Sequence, residues 1–421
     1  MKIVNMIIKT AVFGAAISST IASASDKDLL DTLYENGVLN KAQYEKLTKQ
    51  AEEKEAATPA ATLSKGEEKA SDWTSRVNVS GDMRFRQEFR DSDTKGSEKN
   101  RSRIRARLAI KAEVNDEVDV GFRLVTAGGT TSTNQTLEGG FGGKNIFFDR
   151  VFVKWSPSFV NGTSVVLGKI KQPWFSVSNN IWDSDVNPEG IAIAHNQNIG
   201  PVKLKATGGY FFLSNNDKGS FSDDMTMYHA GFSGAVKFND MIKSTLGFNT
   251  YLYNGTTIND YLNCETGKTC PDGVTGFAGD NVNGDADADF KLYEVAGKIN
   301  VDTGLLPIQL FANYVINAAN GIRSSEDSAW LTGVSTKYNS FKLSYIYRDT
   351  QLNAVPDTFN DSDFNAGATG ARGHVVKLGY TISKNFSTSL AYLAAEEYTD
   401  NNEGTDGTDR NTFQIDVKAK F

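Results

Sequence analysis

From residue 76 to the end of the chain, apolar and polar side chains alternate in short runs, and the alternation is plainest between 77 and 112. Val77, Val79, Met83, Phe85 and Phe89 share one face of the first run, and Asn78, Ser80, Asp82, Arg84, Arg86, Glu88 and Arg90 share the other. After a polar stretch at 91–100, Ile104, Ala106, Leu108 and Ile110 alternate with Arg101, Arg103, Arg105 and Arg107. A period of two belongs to a β-strand with one greasy and one ionic face. Two such strands suit a soluble sandwich, with the arginines in bulk water. They equally suit a membrane barrel, with the apolar face in lipid and the arginines in an aqueous lumen.

The rest of the chain separates these readings. The pattern predicts strands near 77–90, 101–114, 118–127, 145–155, 163–171, 190–197, 202–213, 226–238, 242–253, 290–301, 307–317, 329–338, 340–348, 373–382, 386–396 and 410–421. That is about sixteen, inside the range of outer-membrane barrels, although the alternation is poor at 145–155, 190–197 and 329–338. The connections alternate long and short. The stretch 91–100 is followed by Asn115-Asp116-Glu117, 128–144 by 156–162, 172–189 by Ile199-Gly200-Pro201, and 214–225 by Asn239-Asp240. Long loops on one rim and tight turns on the other are how a transmembrane barrel is built, with both termini at the tight-turn, periplasmic rim. The expectation is an all-β, transmembrane antiparallel barrel over 76–421.

The segments ahead of it read differently. Lys2 and Lys9, a short apolar run at 11–21 and Ala22-Ser23-Ala24 form a signal peptide over 1–24, which implies export. Residues 25–56 read as a short helical, coiled-coil-like periplasmic arm, with Leu29, Leu30 and Leu33 on one face and a break at Asn36-Gly37. Residues 57–75 form a linker. Beyond the N-terminus no apolar run is long enough for a membrane helix, a test that a barrel survives because only every second residue need be apolar. Export makes a loop disulfide between Cys264 and Cys270, the only cysteines, the expected state, against two idle thiols. The net charge of −7 is concentrated in the loops 254–289 and 397–409, whereas the strands at 77–112 are basic, so the overall balance says little about partners.

Several motifs resemble those of Gram-negative outer-membrane porins of the putative-porin group, more distantly similar to phosphate-selective porins. They are the arm Leu29-Leu30-Asp31-Thr32-Leu33-Tyr34-Glu35-Asn36-Gly37, then Gly81-Asp82-Met83-Arg84-Phe85-Arg86, Asn100-Arg101-Ser102-Arg103 and Ser132-Thr133-Asn134-Gln135-Thr136. Phe148-Asp149-Arg150, Gly168-Lys169 before Pro173, and Trp182-Asp183-Ser184-Asp185 ahead of Pro188-Glu189-Gly190 fit the same group. The last strand alternates Phe413, Ile415, Val417, Ala419 and Phe421 with polar residues and ends on the aromatic, which resembles the signal that the barrel-assembly machinery reads. The resemblance implies a homotrimeric, water-filled channel for small hydrophilic solutes among outer-membrane lipids. The lysine-rich loop of the phosphate-selective group has no counterpart here.

The candidate pore-lining residues are Arg84, Arg86, Arg90, Arg101, Arg103, Arg105, Arg107, Arg123, Lys169 and Lys171. In a narrow lumen with low-dielectric walls they would concentrate anions, unless Asp82, Glu88 and Glu113 neutralise them and merely stiffen the wall. The loop 172–189, carrying Trp174, Phe175, Trp182, Asp183, Asp185 and Glu189, is the candidate constriction loop, with an outer loop of rim aromatics as the alternative. No catalytic set is legible: His195, His229 and His374 are isolated, and Gly267-Lys268-Thr269 lacks the glycine and the helix of a phosphate loop. Asp285, Asp287 and Asp289 lack the spacing of a calcium loop, so neither metal nor cofactor is expected. The barrel rhythm also argues against nucleic acid. The competing functions are a structural or adhesive barrel without an open pore and a barrel enzyme.

Overall fold

The computed structural model describes residues 41, 44–45, 48–49, 75–92, 98–214, 225–254, 290–319, 326–398 and 409–421. The chain divides after Thr74 into two units. In the first, the described positions between 41 and 49 are helical, and Thr48 Oγ1 donates to the Tyr44 carbonyl at 2.9 Å. The signal peptide, most of the arm, the linker up to residue 74, Cys264, Cys270 and the acidic stretch 280–289 lie outside the described residues.

The second unit is a closed antiparallel barrel. Its staves are β1 (Val77–Ser92), β2 (Lys99–Glu113), β3 (Val118–Val125), β5 (Phe147–Trp155), β6 (Thr163–Lys169), β7 (Glu189–Ile199), β8 (Val202–Ser214) and β9 (Met225–Lys237). They continue with β10 (Ile242–Asn254), β11 (Lys291–Asp302), β12 (Pro307–Asn317), β13 (Ser328–Tyr338), β14 (Phe341–Thr350), β15 (Ala371–Ser383), β16 (Phe386–Glu397) and β17 (Asp409–Lys420). β4 (Gln135–Thr136) is a two-residue strand inside the β3–β5 loop, paired with Arg103 and Ile104 of β2. Neighbours in sequence are neighbours in the sheet, and β1 pairs with both β2 and β17, which closes the ring at sixteen staves. Every predicted strand is found, with boundaries displaced by no more than about two residues, the usual uncertainty of element ends.

Closure sorts the two faces. Val79, Met83, Phe85, Phe89, Leu246, Phe248, Leu310 and Leu343 are among many large apolar side chains exposed on the outside. In water such a surface would associate, and in a bilayer it is the lipid band. Aromatic pairs mark both rims: Phe341 with Tyr380 (4.8 Å) at the turn end, and Tyr210 with Tyr228 (5.2 Å) and Phe89 with Phe413 (6.4 Å) toward the loop end. The tight turns are built locally. Asn239 Oδ1 accepts from the N–H groups of Met241 (2.9 Å) and Ile242 (2.7 Å), and Asn339 adopts φ +50° in the turn before β14. At the seam, Phe421 exchanges backbone hydrogen bonds with Gly81 (3.0 and 3.1 Å), and its ring covers that glycine.

The entry and exit of the 170–188 loop rest on a glycine pair. Gly168 (φ +114°) and Gly190 (φ +153°) face each other across β6 and β7, and an added Cβ would lie 2.2 Å from the Val151 carbonyl oxygen and 2.1 Å from that of Tyr210, respectively. Both the conformation and the space require glycine. Gly190→Val is therefore expected to abolish the compact, heat-modifiable species seen when unboiled and boiled samples are compared on a gel, while an exposed change such as Lys237→Gln leaves it intact.

Candidate functional site

Inward-facing residues of β17, β1 and β2 form charged rows, because residues opposite one another in an antiparallel sheet share a face. From the turn end upward the rows read Lys420, Asp82, Arg107; then Lys418, Arg84, Arg105; then Asp416, Arg86, Arg103; then Gln414, Glu88, Arg101; and finally Thr412, Arg90, Lys99. Arg84 opposite Arg105 and Arg86 opposite Arg103 would repel, so carboxylates from adjacent rows and loops are needed. Asp82 binds Arg105 (2.7 Å) and Arg107 (2.8 Å). Asp416 binds Arg86 (2.7 Å) and, at 3.4 Å, Arg84. Glu88 is fully buried and accepts from Arg101 (2.6 Å) and Gln414 (3.2 Å), with Arg103 at 3.7 Å. Asp82 and Glu88 thus neutralise part of the wall, while Glu113 is exposed at the turn end of β2.

Two long loops fold into the interior against this wall. In the first, 170–188, Trp174, Ile181, Trp182, Asp183 and Asp185 are buried. The second, 351–370, buries Val355, Phe359, Asn360 and Phe364, with short 3-10 turns at Asp357–Phe359 and Asn365–Gly367. They bind each other. The Asp183 N–H donates to the Phe359 carbonyl oxygen (2.7 Å), and Ser362 donates to Asp183 Oδ2 through its N–H (3.0 Å) and its hydroxyl (3.1 Å). Trp182 and Phe359 stack at 5.1 Å. The β3–β5 loop joins them, since Thr133 donates to Asp185 through both its N–H (3.1 Å) and its hydroxyl (2.9 Å).

The wall grips the second loop through Arg86, which donates to both Asp363 oxygens (3.0 and 2.9 Å), and through Arg410, which donates to the Asn365 carbonyl (2.9 Å). Arg348 lies over the Phe364 ring (4.6 Å) and donates to Asn360 (2.9 Å). Burial alone would raise the Asp363 carboxyl, but Arg86 overrides it and holds it well below the carboxylate range. Burial, with Asp361 nearby, instead pushes Asp183 up. Away from the charged wall, the loop-end halves of β8 to β13 present Phe211, Met225, Met227, Tyr251, Leu292, Val315 and Ala329 to Trp174, Trp182 and Phe359, forming one apolar cluster. Beneath it, buried Glu294 accepts from Asn249 (2.8 Å), Asn313 (3.0 Å) and Tyr251 (3.1 Å), and Asn249 also donates to the Phe175 carbonyl (2.9 Å).

The structure brings the seven arginines of β1 and β2 onto one interior wall. Arg123 lies inside on β3, held by Asp149 at 2.8 Å. The two lysines do not join them. Lys169 pairs in register with Val151, on the side shared by exposed Leu167 and Ile191, and binds Glu189; Lys171 is exposed at the start of the loop. Glu189 likewise leaves the constriction set, because it opens β7 on that outer side. The register of β6 with β5 and β7 runs unbroken through Gly168, so Lys169 keeps the parity of Leu167 and the alternation itself carries it to the outer side. Of the loop residues, Trp182, Asp183 and Asp185 are inside. Sequence reading missed the second inward loop and its Asp363, although that stretch was visible as a long connection rich in acids and phenylalanine. It also missed Asp416 as the acid of the wall. His229 sits between Thr207 (3.0 Å) and the Thr250 carbonyl (3.2 Å), and exposed His374 meets the Tyr345 hydroxyl (2.8 Å) on the outer side of β15, so each has a hydrogen-bond partner. Among the described residues no cluster of potential ligands can hold a metal.

A closed ring of sixteen antiparallel staves, apolar outside and charged within, with long loops turned into its interior, defines an outer-membrane channel barrel. The chain matches the family model described as "Putative porin" over residues 91–270 and 317–421, and it belongs to that family. Among solved structures it is similar to Pseudomonas putida OprB at high pH, with 12% identity, a TM-score of 0.53 and coverage of 85% of this chain and 97% of that one. Salmonella typhi OmpF in complex with daunomycin aligns at 14% identity and TM-score 0.49, covering 82% of this chain and 97% of that one. A loop L8 deletion mutant of Vibrio cholerae OmpT aligns at 14% identity and TM-score 0.47, covering 82% and 99%. At these identities the likeness concerns the fold. No curated protein sequence matches the chain.

Proposed function

We propose that this outer-membrane porin is a passive diffusion channel for small hydrophilic solutes with a modest preference for anions. The observation that carries the preference is the imbalance of the β17–β1–β2 wall. Arg84, Arg86, Arg90, Arg101, Arg103, Arg105, Arg107 and Lys418 outnumber Asp82, Glu88, Asp363 and Asp416, even with Asp185 touching Arg107 at 3.4 Å. Within a Debye length of about 8–10 Å the uncompensated cations act as one positive surface. In a KCl gradient the reversal potential is expected to report an anion-to-cation permeability ratio of about 2–5, fading as salt rises. Cation preference, or a ratio independent of salt, would place selectivity elsewhere. The apolar cluster favours a second reading, a plugged barrel without a pore, which absence of any conductance in planar bilayers would support. The porin family and the barrel fold favour a channel over an enzyme.

The assembly read from the sequence belongs to the same proposal: export by the signal peptide, insertion through Phe421, a periplasmic arm and a homotrimer among outer-membrane lipids. Support for trimers comes from the wall itself. β3, β5 and β6 have 8, 9 and 7 residues, against 16 and 15 in β1 and β2. A stave of about eight residues, tilted by about 40°, spans roughly 20 Å, short of the apolar band of about 25 Å. Outside this low wall runs an apolar groove lined by Ile110, Val120, Phe122, Val151, Val153 and Leu167. A neighbouring copy would cover it and relieve the mismatch. Light scattering in mild detergent is expected to give three chains per particle, and charge introduced at Val151 and Leu167 to give one.

A further inference from the structure

Arg90 stands apart from the other arginines of the wall. It is 7% exposed, its Nε is buried with no hydrogen-bond partner, and among the described residues no carboxylate forms an ion pair with it. Its row holds no acid, with Lys99 on one side and Thr412 on the other. The diagonal neighbours are cations already engaged: Arg101 with Glu88 (2.5 Å), and Arg410 with Glu397 (3.2 Å). Glu88, two residues earlier on the same strand, is taken up by Arg101 and Gln414. The lower rows are arranged otherwise, since Arg86, Arg105 and Arg107 each hold a carboxylate within 2.9 Å.

A buried guanidinium nitrogen left without an acceptor is unfavourable, so folding gains little from placing Arg90 there. We propose that Arg90, flanked by Lys99, Arg101 and Arg410, forms a binding site for a compact, multiply charged oxyanion at the loop end of the charged wall. This rests on the porin reading and deepens it: the lower rows are pinned by their own acids, and recognition of the solute is concentrated in the top row. The planar fork of Arg90 meets two oxygens of a carboxylate or sulfate, and Lys99 beside it in the row favours a dianion over a monoanion. Arg90 shares the inward face of β1 with buried Glu88 and Arg86, so the ligand is a dissolved solute and not a lipid headgroup.

The test uses the full-length protein in planar bilayers, with succinate added at constant ionic strength to a KCl current. Wild type is expected to show block by succinate, weaker block by acetate, and a half-blocking succinate concentration about tenfold lower than that of Arg90→Gln, the loss of one charge-assisted contact. Sulfate is expected to behave as succinate does. Equal block of both proteins at normal KCl conductance would overturn the site while leaving the porin reading intact. A second measurement does not depend on conduction. In denaturant titrations of detergent-solubilised protein, succinate should raise the midpoint of wild type but not that of Arg90→Gln. Without ligand, the variant should be as stable as wild type or more so. A variant destabilised without ligand would make Arg90 a structural residue and overturn the proposal, and so would displacement of succinate by phosphatidylglycerol vesicles.

Discussion

Shortening the 351–370 loop to a four-residue turn is expected to raise single-channel conductance roughly twofold or more, because it removes the mass folded against the wall and unfastens the loop opposite. The 170–188 loop is held from both sides. Asn249 secures the Phe175 carbonyl, while Ser362 and the Phe359 carbonyl secure Asp183. Without the second loop, Trp182 loses its stacking partner at 5.1 Å and Asp183 loses three hydrogen bonds. Buried Asp183 would then be left with acid neighbours and fewer donors, which favours its release toward water. The same variant should admit larger solutes in liposome swelling and show noisier open-channel currents. Unchanged conductance and size limit would mean that ions pass elsewhere and that the interlocked loops only stiffen the barrel.

The second large effect is on stability, at Arg86. This side chain is 4% exposed and bridges the barrel seam to the inward loop through Asp416 and Asp363. Arg86→Ala takes from both carboxylates their nearest cation in a poorly solvated interior, and removing one partner of a buried ion pair typically costs about 3–5 kcal/mol. Urea unfolding in detergent should show a loss of that order. The cost should shrink markedly when Asp363→Asn and Asp416→Asn are added, because the orphaned charges are then gone. Exposed Arg372, paired with Glu396 at 2.9 Å on the outer side of β15, provides the contrast, with a loss of about 0–1 kcal/mol on change to Ala. Additive losses for Arg86 and its two acids would show that they do not act as a unit.

The sequence by itself determined the barrel. Lipid outside and water inside impose a period of two on every stave, and antiparallel order imposes long and short connections in turn, so strand number, rims and the side taken by Arg84 or Phe85 are written locally. The same period places the β1 and β2 arginines together, since a hairpin register follows from its own turn. What it left open is whatever depends on contacts between distant segments. Arg86 meets Asp416 only because the ring closes between the first and last staves, and Asp363 only because a loop between β14 and β15 turns inward. Charge alone argues for Lys169 inside, whereas the unbroken register of β6 with β5 sets it on the outer face with Leu167 and Val151. Charge pairing across a closed lumen is a property of the ring and has no periodic trace in the chain. The alternating pattern therefore yields the wall and its positive residues, and only the tertiary structure decides which of those charges are neutralised and which, like Arg90, remain uncompensated.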